Sequence, residues 1–321
     1  MHRLLLTFIV VLSAAGPAAA VEHITYLRDG REMHVSGRLE TEAQDGGLLV
    51  LSADGVMHAI QPDELVKRSH DDLPFKPLEA EEIGQQLLDS LPAGFKLHTT
   101  ARYLICYNTS DAYADWCGAL FERLYRAFTN FWSRKGFQMQ EPRFPLVAIV
   151  FADRASYLNY ARAELGDSAE AIVAYYNMQN NRIAMYDLTG VESLRLPGGG
   201  RSSAAQINRM LAQPQAEATV ATIIHEATHQ IAFNSGLQTR FADIPLWVSE
   251  GLAVYFETPD LQSAKGWRNI GAVNRPRLDR FREYQSSRGQ NSLTTLVSGD
   301  KRMRDPRQAL DAYAEAWALN Y

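Results

Sequence analysis

Cysteine is scarce in this chain: Cys106 and Cys117 are the only two in 321 residues. That excludes a disulfide-dense scaffold and a thiolate-rich zinc module. The two could still pair in an oxidising compartment, Cys106 from an expected strand and Cys117 from the helix after it, if their geometry allows. A basic excess is also lacking. Lys and Arg number 32 against 37 Asp and Glu, and the net charge of −5 offers nothing to nucleic acid or to an anionic lipid surface. Only one long apolar run is present, at the N-terminus, so no stable membrane insertion is expected once that run is removed. Internal repeats and low-complexity tracts are missing too. The Gly-rich stretch Leu196 to Gly200 has no Lys-Ser/Thr ending and no strand leading into it, so it reads as a connection and not as a phosphate cradle. What remains is 46% hydrophobic and 21% charged, the texture of an ordinary globular protein with a sizeable core.

His2 and Arg3 precede the apolar run Leu4 to Leu12, and Ala18-Ala19-Ala20 follows. A charged start, a short apolar core and an A-x-A ending make a secretory signal peptide over residues 1–20, with Val21 as the mature start. The expected location is therefore the periplasm or the exterior. A retained anchor is the alternative, but the run is short for a span. No Cys stands at the cleavage point, which argues against a lipoprotein.

Residues 21–68 read as a small all-β unit. Asp29-Gly30, Asp45-Gly46-Gly47 and Asp54-Gly55 are hairpin-turn signals at short intervals, separating segments such as Ile24 to Leu27 and Leu48 to Ser52. Four or five short strands in so few residues predict a small SH3-like β-barrel, a shape that assigns no ligand by itself. Residues 69–94 read as linker and helix, the linker being Ser69 to Pro77. From residue 95 to residue 321 strands and helices mix, giving an α+β layout. Phe95 to Tyr107 and Phe144 to Phe151 are expected strands. Ser110 caps a helix running to about Lys135, and Asp153 caps the next. Ile172 to Met178 and Arg182 to Leu188 are expected strands joined by a turn at Asn180-Asn181. The second, lying before the helix discussed next, is the expected edge strand along which a peptide could pair.

Pro214 suits the first turn of a helix, and Val220, Ile223, Ile224, Ala227 and Ile231 keep one apolar face until Asn234-Ser235-Gly236 ends it. Within it stands His225-Glu226-Ala227-Thr228-His229. Positions i and i+4 share a helix face, so both imidazoles can reach one ion. Glu226 lies about 100° round the helix from His225, beside such an ion but outside its ligand set. There it can act as a base toward water activated by the metal. Chance surface residues are the plain alternative for a lone HExxH pattern. A catalytic zinc takes three protein ligands and keeps one position open. Downstream, Trp247 to Glu257 reads as a second apolar helix containing Glu250, where an unpaired carboxylate would be costly and a neighbouring cation removes the cost. Gly251 beside it permits a close approach by another backbone.

HEATH followed by WVSEGLAVYFE resembles the gluzincin metallopeptidases, in which HExxH and a Glu on a second helix bind zinc. Trp247, Glu250, Gly251, Ala253 and Tyr255 match the aminopeptidase-type pattern W-L-x-E-G-x-A-x-Y. The texture is also similar to an uncharacterised bacterial peptidase-like family that joins a β-module to this core. The motif match covers about 35 residues; the wider likeness, over residues 95–321, rests on layout. The resemblance implies a zincin-like metallopeptidase core, Zn2+ held by His225, His229 and Glu250, Glu226 as general base, and a peptide or protein as substrate. It extends to Tyr313, at the start of the helix Tyr313 to Leu319, as donor to the reaction's oxyanion. The alternative for Tyr313 is a core residue of an amphipathic helix. Tyr255 is a rival that is expected to pack. No Gly-Ala-Met-Glu-Asn segment is present, which leaves no counterpart to the group with which aminopeptidases hold a free amine. Two other readings stand beside the peptidase: an envelope binding or scaffold protein with a structural or inactive zinc core and a partner on its β-module, and hydrolysis of a non-peptide amide.

Overall fold

A computed structural model describes residues 20–190, 203–258, 261 and 270–321. The expected signal peptide, except Ala20, and the Gly-rich stretch lie outside these residues. The chain divides into two compact units, residues 1–77 and 78–321. Both contain sheet, the second is rich in helix, and the protein is α+β.

The first unit is an antiparallel sheet of β1 (Ala20–Arg28), β2 (Arg31–Glu42), β3 (Leu48–Ser52), β4 (Met57–Ile60) and β5 (Leu65–Pro74), ordered β4-β3-β2-β1-β5. Asp29 and Gly30, both at positive φ (52° and 74°), make the tight β1–β2 turn that the Asp-Gly pair predicts. Register Ile24↔Val35 puts alternate apolar residues on one face, where Ile24, Tyr26, Val35, Leu48, Val50 and Ile60 form the core. Two expectations are corrected. No ladder among the described residues joins β4 to β5, so the sheet is open where a closed barrel was expected. The four-residue β4 ends early, and β5 pairs along β1 instead. Ser69 to Pro74, read as linker from its Asp and Pro content, continues β5 with pairs His23↔Ser69 and Val21↔Asp71. The His23 imidazole bonded to Asp71 at 2.9 Å helps hold that register.

The second unit opens with α1 (Ala80–Ser90), started by a Glu79–Glu82 capping box. Its sheet contains β6 (Lys96–Thr99), β7 (Tyr103–Tyr107), β8 (Leu146–Phe151), β9 (Ala174–Asn177) and β10 (Arg182–Tyr186), ordered β6-β7-β8-β10-β9. β7, β8 and β10 are parallel; β6 and β9 run antiparallel at the two edges. The expected single strand from Phe95 to Tyr107 is thus a hairpin, its turn held by Thr100 and the backbone of Arg102 bonded to Glu122. The expected edge strand also changes place. β10 is interior, paired on both sides, and every residue of it after Arg182 is buried. β9 is the edge, because the Asn180-Asn181 turn, with Asn181 at φ 62°, folds it back along the outside of β10.

Around this sheet lie α2 (Asp111–Arg134, capped by Ser110) and α3 (Arg154–Leu165, capped by Asp153). They are followed by α4 (Ala204–Leu211), α5 (Pro214–Asn234), α6 (Leu246–Phe256), α7 (Arg275–Gln285), α8 (Ser292–Val297), α9 (Lys301–Arg304) and α10 (Ala309–Asn320). Trp116, Leu120, Leu124 and Phe128 of α2 are all buried in the core. Cys106 and Cys117 are both buried and both free. No helix among the described residues is long and apolar enough to cross a membrane.

Candidate metal centre

The geometry starts with α5. Pro214 stands in its first turn and Gly236, at φ 80°, follows its last. Val220, Ile223, Ile224, Ala227 and Ile231 are fully buried, which fixes the helix's rotation. Gln230, also buried, donates to Val147 O at 3.0 Å and to Asn181 O at 2.9 Å, bolting α5 to β8 and to the β9–β10 turn. With the apolar face held in this way, His225, Glu226 and His229 turn toward α6 and β9.

α6 begins where Asp300 accepts the Leu246 N–H at 2.9 Å, satisfying one of the helix's first donors. It carries Glu250 to the two imidazoles. His225 Nε2 lies 3.0 Å from Glu250 Oε2 and 3.1 Å from His229 Nε2, and His229 Nε2 lies 3.5 Å from the same carboxylate oxygen. The three side chains offer donor atoms within 4.8 Å of one another and could hold a metal ion. A four-coordinate ion with bonds of about 2.0–2.1 Å keeps its ligand atoms about 3.3 Å apart. The observed 3.0–3.5 Å spacings fit such an ion.

The supporting groups are as specific as the ligands. His225 Nδ1 donates to Glu257 Oε2 at 3.0 Å, which turns Nε2 toward the cluster. Glu257 Oε1 in turn accepts from Asn274 Nδ2 at 2.8 Å and Arg277 Nε at 2.9 Å. His229 Nδ1 faces Ser249 Oγ at 3.4 Å. Glu226 is directed at the sheet edge, where the Tyr176 backbone N–H donates to its Oε2 at 2.8 Å.

Charge follows from this packing. Burial alone would lower the His225 imidazole, but Glu250 and Glu257 outweigh it and raise it to about 10. Glu250 is held well below the usual carboxylate range: burial opposes ionisation, and the charge of His229 and the bond from His225 overcome it. Glu257 is also lowered, against its burial, by His225 and Arg277. Glu226 goes the other way, since burial pushes its carboxyl up more than the imidazoles pull it down. Glu250 and Glu257 thus stay ionised against two cations, protonated His225 and the Arg277 guanidinium, and a metal bound at the His225 Nε2 would take the place of its proton.

Beside the cluster is a cavity of about 250 Å³, with Tyr176, Met178, Phe233 and Leu246 forming apolar wall and His225, Glu226, His229, Glu250 and Tyr313 the polar part. Tyr313 reaches it from α10, where burial and then the nearby Glu250 carboxylate push its hydroxyl up. Gly251 makes this possible. A Cβ there would overlap the Asn320 amide nitrogen and stand 3.4 Å from Ala316 O, so α10 crosses α6 closely at the glycine. Tyr255 instead packs against Phe131, with ring centres 5.8 Å apart. All five residues singled out from sequence therefore lie at one cavity. Glu257, Asn274, Arg277 and the Tyr176 amide were not singled out. Glu257 had a signal, since it follows Glu250 by seven residues, two turns along one helix face. A backbone amide has none.

The molecule is thus an α+β protein with a two-histidine, one-glutamate cluster able to hold a metal. A family model described as "Protein of unknown function (DUF1570)" matches residues 219–321, a segment that includes His225, Glu226, His229, Glu250 and Tyr313. No curated protein matches the chain.

Proposed function

We propose that this protein is an exported zinc metallopeptidase of gluzincin type, with a zincin-like core and its open N-terminal sheet as an accessory module. The observation that carries the reading is the convergence of His225, His229 and Glu250 beside Glu226 at one cavity. Two imidazoles and a carboxylate are a donor set suited to catalytic zinc, and an ion so held supplies Lewis acidity that makes water nucleophilic near neutral pH and polarises a carbonyl.

The chain's own residues supply the rest. Glu226 takes the proton from the attacking water and passes it to the leaving amine, and its upward-shifted carboxyl suits a group that must gain and lose that proton. Tyr313 stays protonated because burial, then Glu250, push its hydroxyl up, so it can donate to the oxygen on which charge develops. β9 runs along the sheet edge with Tyr176 at the cavity, a position from which an extended peptide can pair as an added strand. The N-terminal leader supports export, and the accessory sheet offers a surface for an envelope partner.

The test is cleavage of an unfolded protein or a mixed peptide library, read by mass spectrometry. Zinc-loaded protein cuts, chelation stops it, and zinc restores it. Glu226→Gln keeps its zinc and loses turnover by about 10²–10⁴-fold. A zinc-loaded protein that cuts nothing in such a library would sink the reading.

A further inference from the structure

The metal ligands and Tyr313 come from different helices, and one side chain touches the support of both. Arg277, in the first turn of α7, donates from Nε to Glu257 Oε1 at 2.9 Å. The other oxygen of that carboxylate holds His225 Nδ1. The same guanidinium lies over the ring of Tyr313, its central carbon 5.4 Å from the ring centre. α7 itself has no buried residue, so no apolar core contact explains where its first turn lies. Polar bonds do. Asn274 caps the helix by accepting the Arg277 N–H at 3.2 Å and donates to the same Glu257 oxygen, while Arg280 pairs with Asp311 of α10 at 2.7 Å.

We infer that Arg277 is a positioning residue that joins the His225 side of the metal centre to the ring of Tyr313. Its planar cation does two jobs that need a fork and a face together. The edge bonds the carboxylate that aims His225, and the face covers the tyrosine ring and limits its swing. Lysine offers a point charge without a plane and cannot satisfy both at once. Fixing a ligand through its second ring nitrogen affects metal affinity, and fixing a donor hydroxyl affects the transition state. Arg277 therefore contributes to both without touching metal or substrate. The half concerning Tyr313 rests on the peptidase reading; the half concerning metal does not.

Arg277→Lys in the full chain tests both halves, with thermal melting as the control for folding. Zinc affinity is measured by chelator competition, and ligand geometry by the visible spectrum of the Co2+-loaded protein. The expected result is zinc binding weaker by roughly tenfold and an altered Co2+ spectrum. Adding Arg277→Lys to Glu257→Gln should cost no further affinity. In peptide cleavage kcat should fall with KM little changed, and the loss should vanish in a Tyr313→Phe background. Zinc affinity and Co2+ spectrum indistinguishable from the parent would overturn the metal half. A kcat loss that persists unchanged beside Tyr313→Phe would overturn the other. If Arg277→Lys does not fold, Arg277→Gln, which keeps a donor without the cation, is judged by the same criteria. Absence of any peptide cleavage counts against the peptidase reading alone, because the zinc assay decides the metal half without a substrate.

Discussion

Tyr176 donates its backbone N–H to Glu226, 2.8 Å away, so the edge strand and the carboxylate proposed as base are directly joined. The carboxylate accepts this bond, yet burial disfavours its ionised form where it stands. A group whose folded pKa is raised weakens the fold as pH rises through its unfolded value. Glu226→Gln keeps an acceptor for Tyr176 and removes the charge. In chelator at pH 7 the variant should melt higher than the parent, as expected when a functional group is held at some cost to stability. An unchanged or lower melting temperature would show that the carboxylate is comfortably ionised.

Zinc should stabilise the fold through the same cluster. Free ion at a hundred times Kd adds about 2.7 kcal/mol to a protein that binds it only when folded. Chelation should lower the melting temperature accordingly, and elemental analysis should find one zinc per chain. Glu250→Gln should lose most of the zinc-dependent shift while melting cooperatively. A shift equal to the parent's would remove Glu250 from the ligand set.

Gly251 offers a graded packing test. A methyl group there meets the far end of Asn320, which can turn away at the loss of its 2.9 Å bond to Ala316 O. The helix gains about 1 kcal/mol when Gly becomes Ala, so Gly251→Ala should be close to neutral in chemical denaturation. Gly251→Leu has no such escape, because Ala316 backbone lies behind the amide. It should lose about 1–3 kcal/mol, and activity should fall further than stability as α10 carries Tyr313 away.

Acid sensitivity should trace to Glu315, two residues beyond Tyr313. Its buried carboxylate accepts from Ser292 at 2.6 Å, Arg302 at 2.7 Å and Arg288 at 2.8 Å. Burial opposes ionisation, but these bonds prevail and hold the group below its ordinary range. Its contribution is therefore complete above an unfolded pKa of about 4.3 and is lost as pH falls through the lower folded value. Glu315→Gln leaves Arg302 buried and uncompensated, and should cost about 3 kcal/mol at pH 7. The gap from the parent should narrow toward pH 3 in denaturant titrations.

The two thiols should be silent in the native state. Burial pushes the Cys106 thiol up to about 12 and the Cys117 thiol well above its ordinary value, and reactivity requires the thiolate. Alkylation at pH 8 should add no mass to the native protein and two groups in denaturant, with or without prior reduction. A need for reductant would mean that the pair had formed a disulfide.

Much of this was legible in the sequence because it is local. The caps at Ser110 and Asp153, the Asp29-Gly30 turn, the limits of α5 and the i, i+4 spacing of His225 and His229 each depend on neighbours in the chain. Glu250 was legible as an acid in an apolar helix. What escaped depends on contacts distant in sequence. Whether β10 or β9 lies at the edge is decided by pairing with β8, and whether Ser69 to Pro74 is strand or linker by pairing with β1. Closure of the first sheet depends on whether β4 and β5 meet, and no short pattern encodes that. Arg277 and Asn274 look like ordinary surface residues until α7 folds beside Glu257.

The ligands themselves lie close together along the chain. His225 and Glu250 are 25 residues apart, whereas Gln230 ties α5 to Val147 across 83. Closing the shorter loop costs less chain entropy, so the α5–α6 hairpin can capture an ion before the sheet is assembled behind it. A metal held there would then guide folding as well as serve the finished protein. A chain that folds where zinc is scarce would start from a looser hairpin, with His225, His229 and Glu250 still to be brought together.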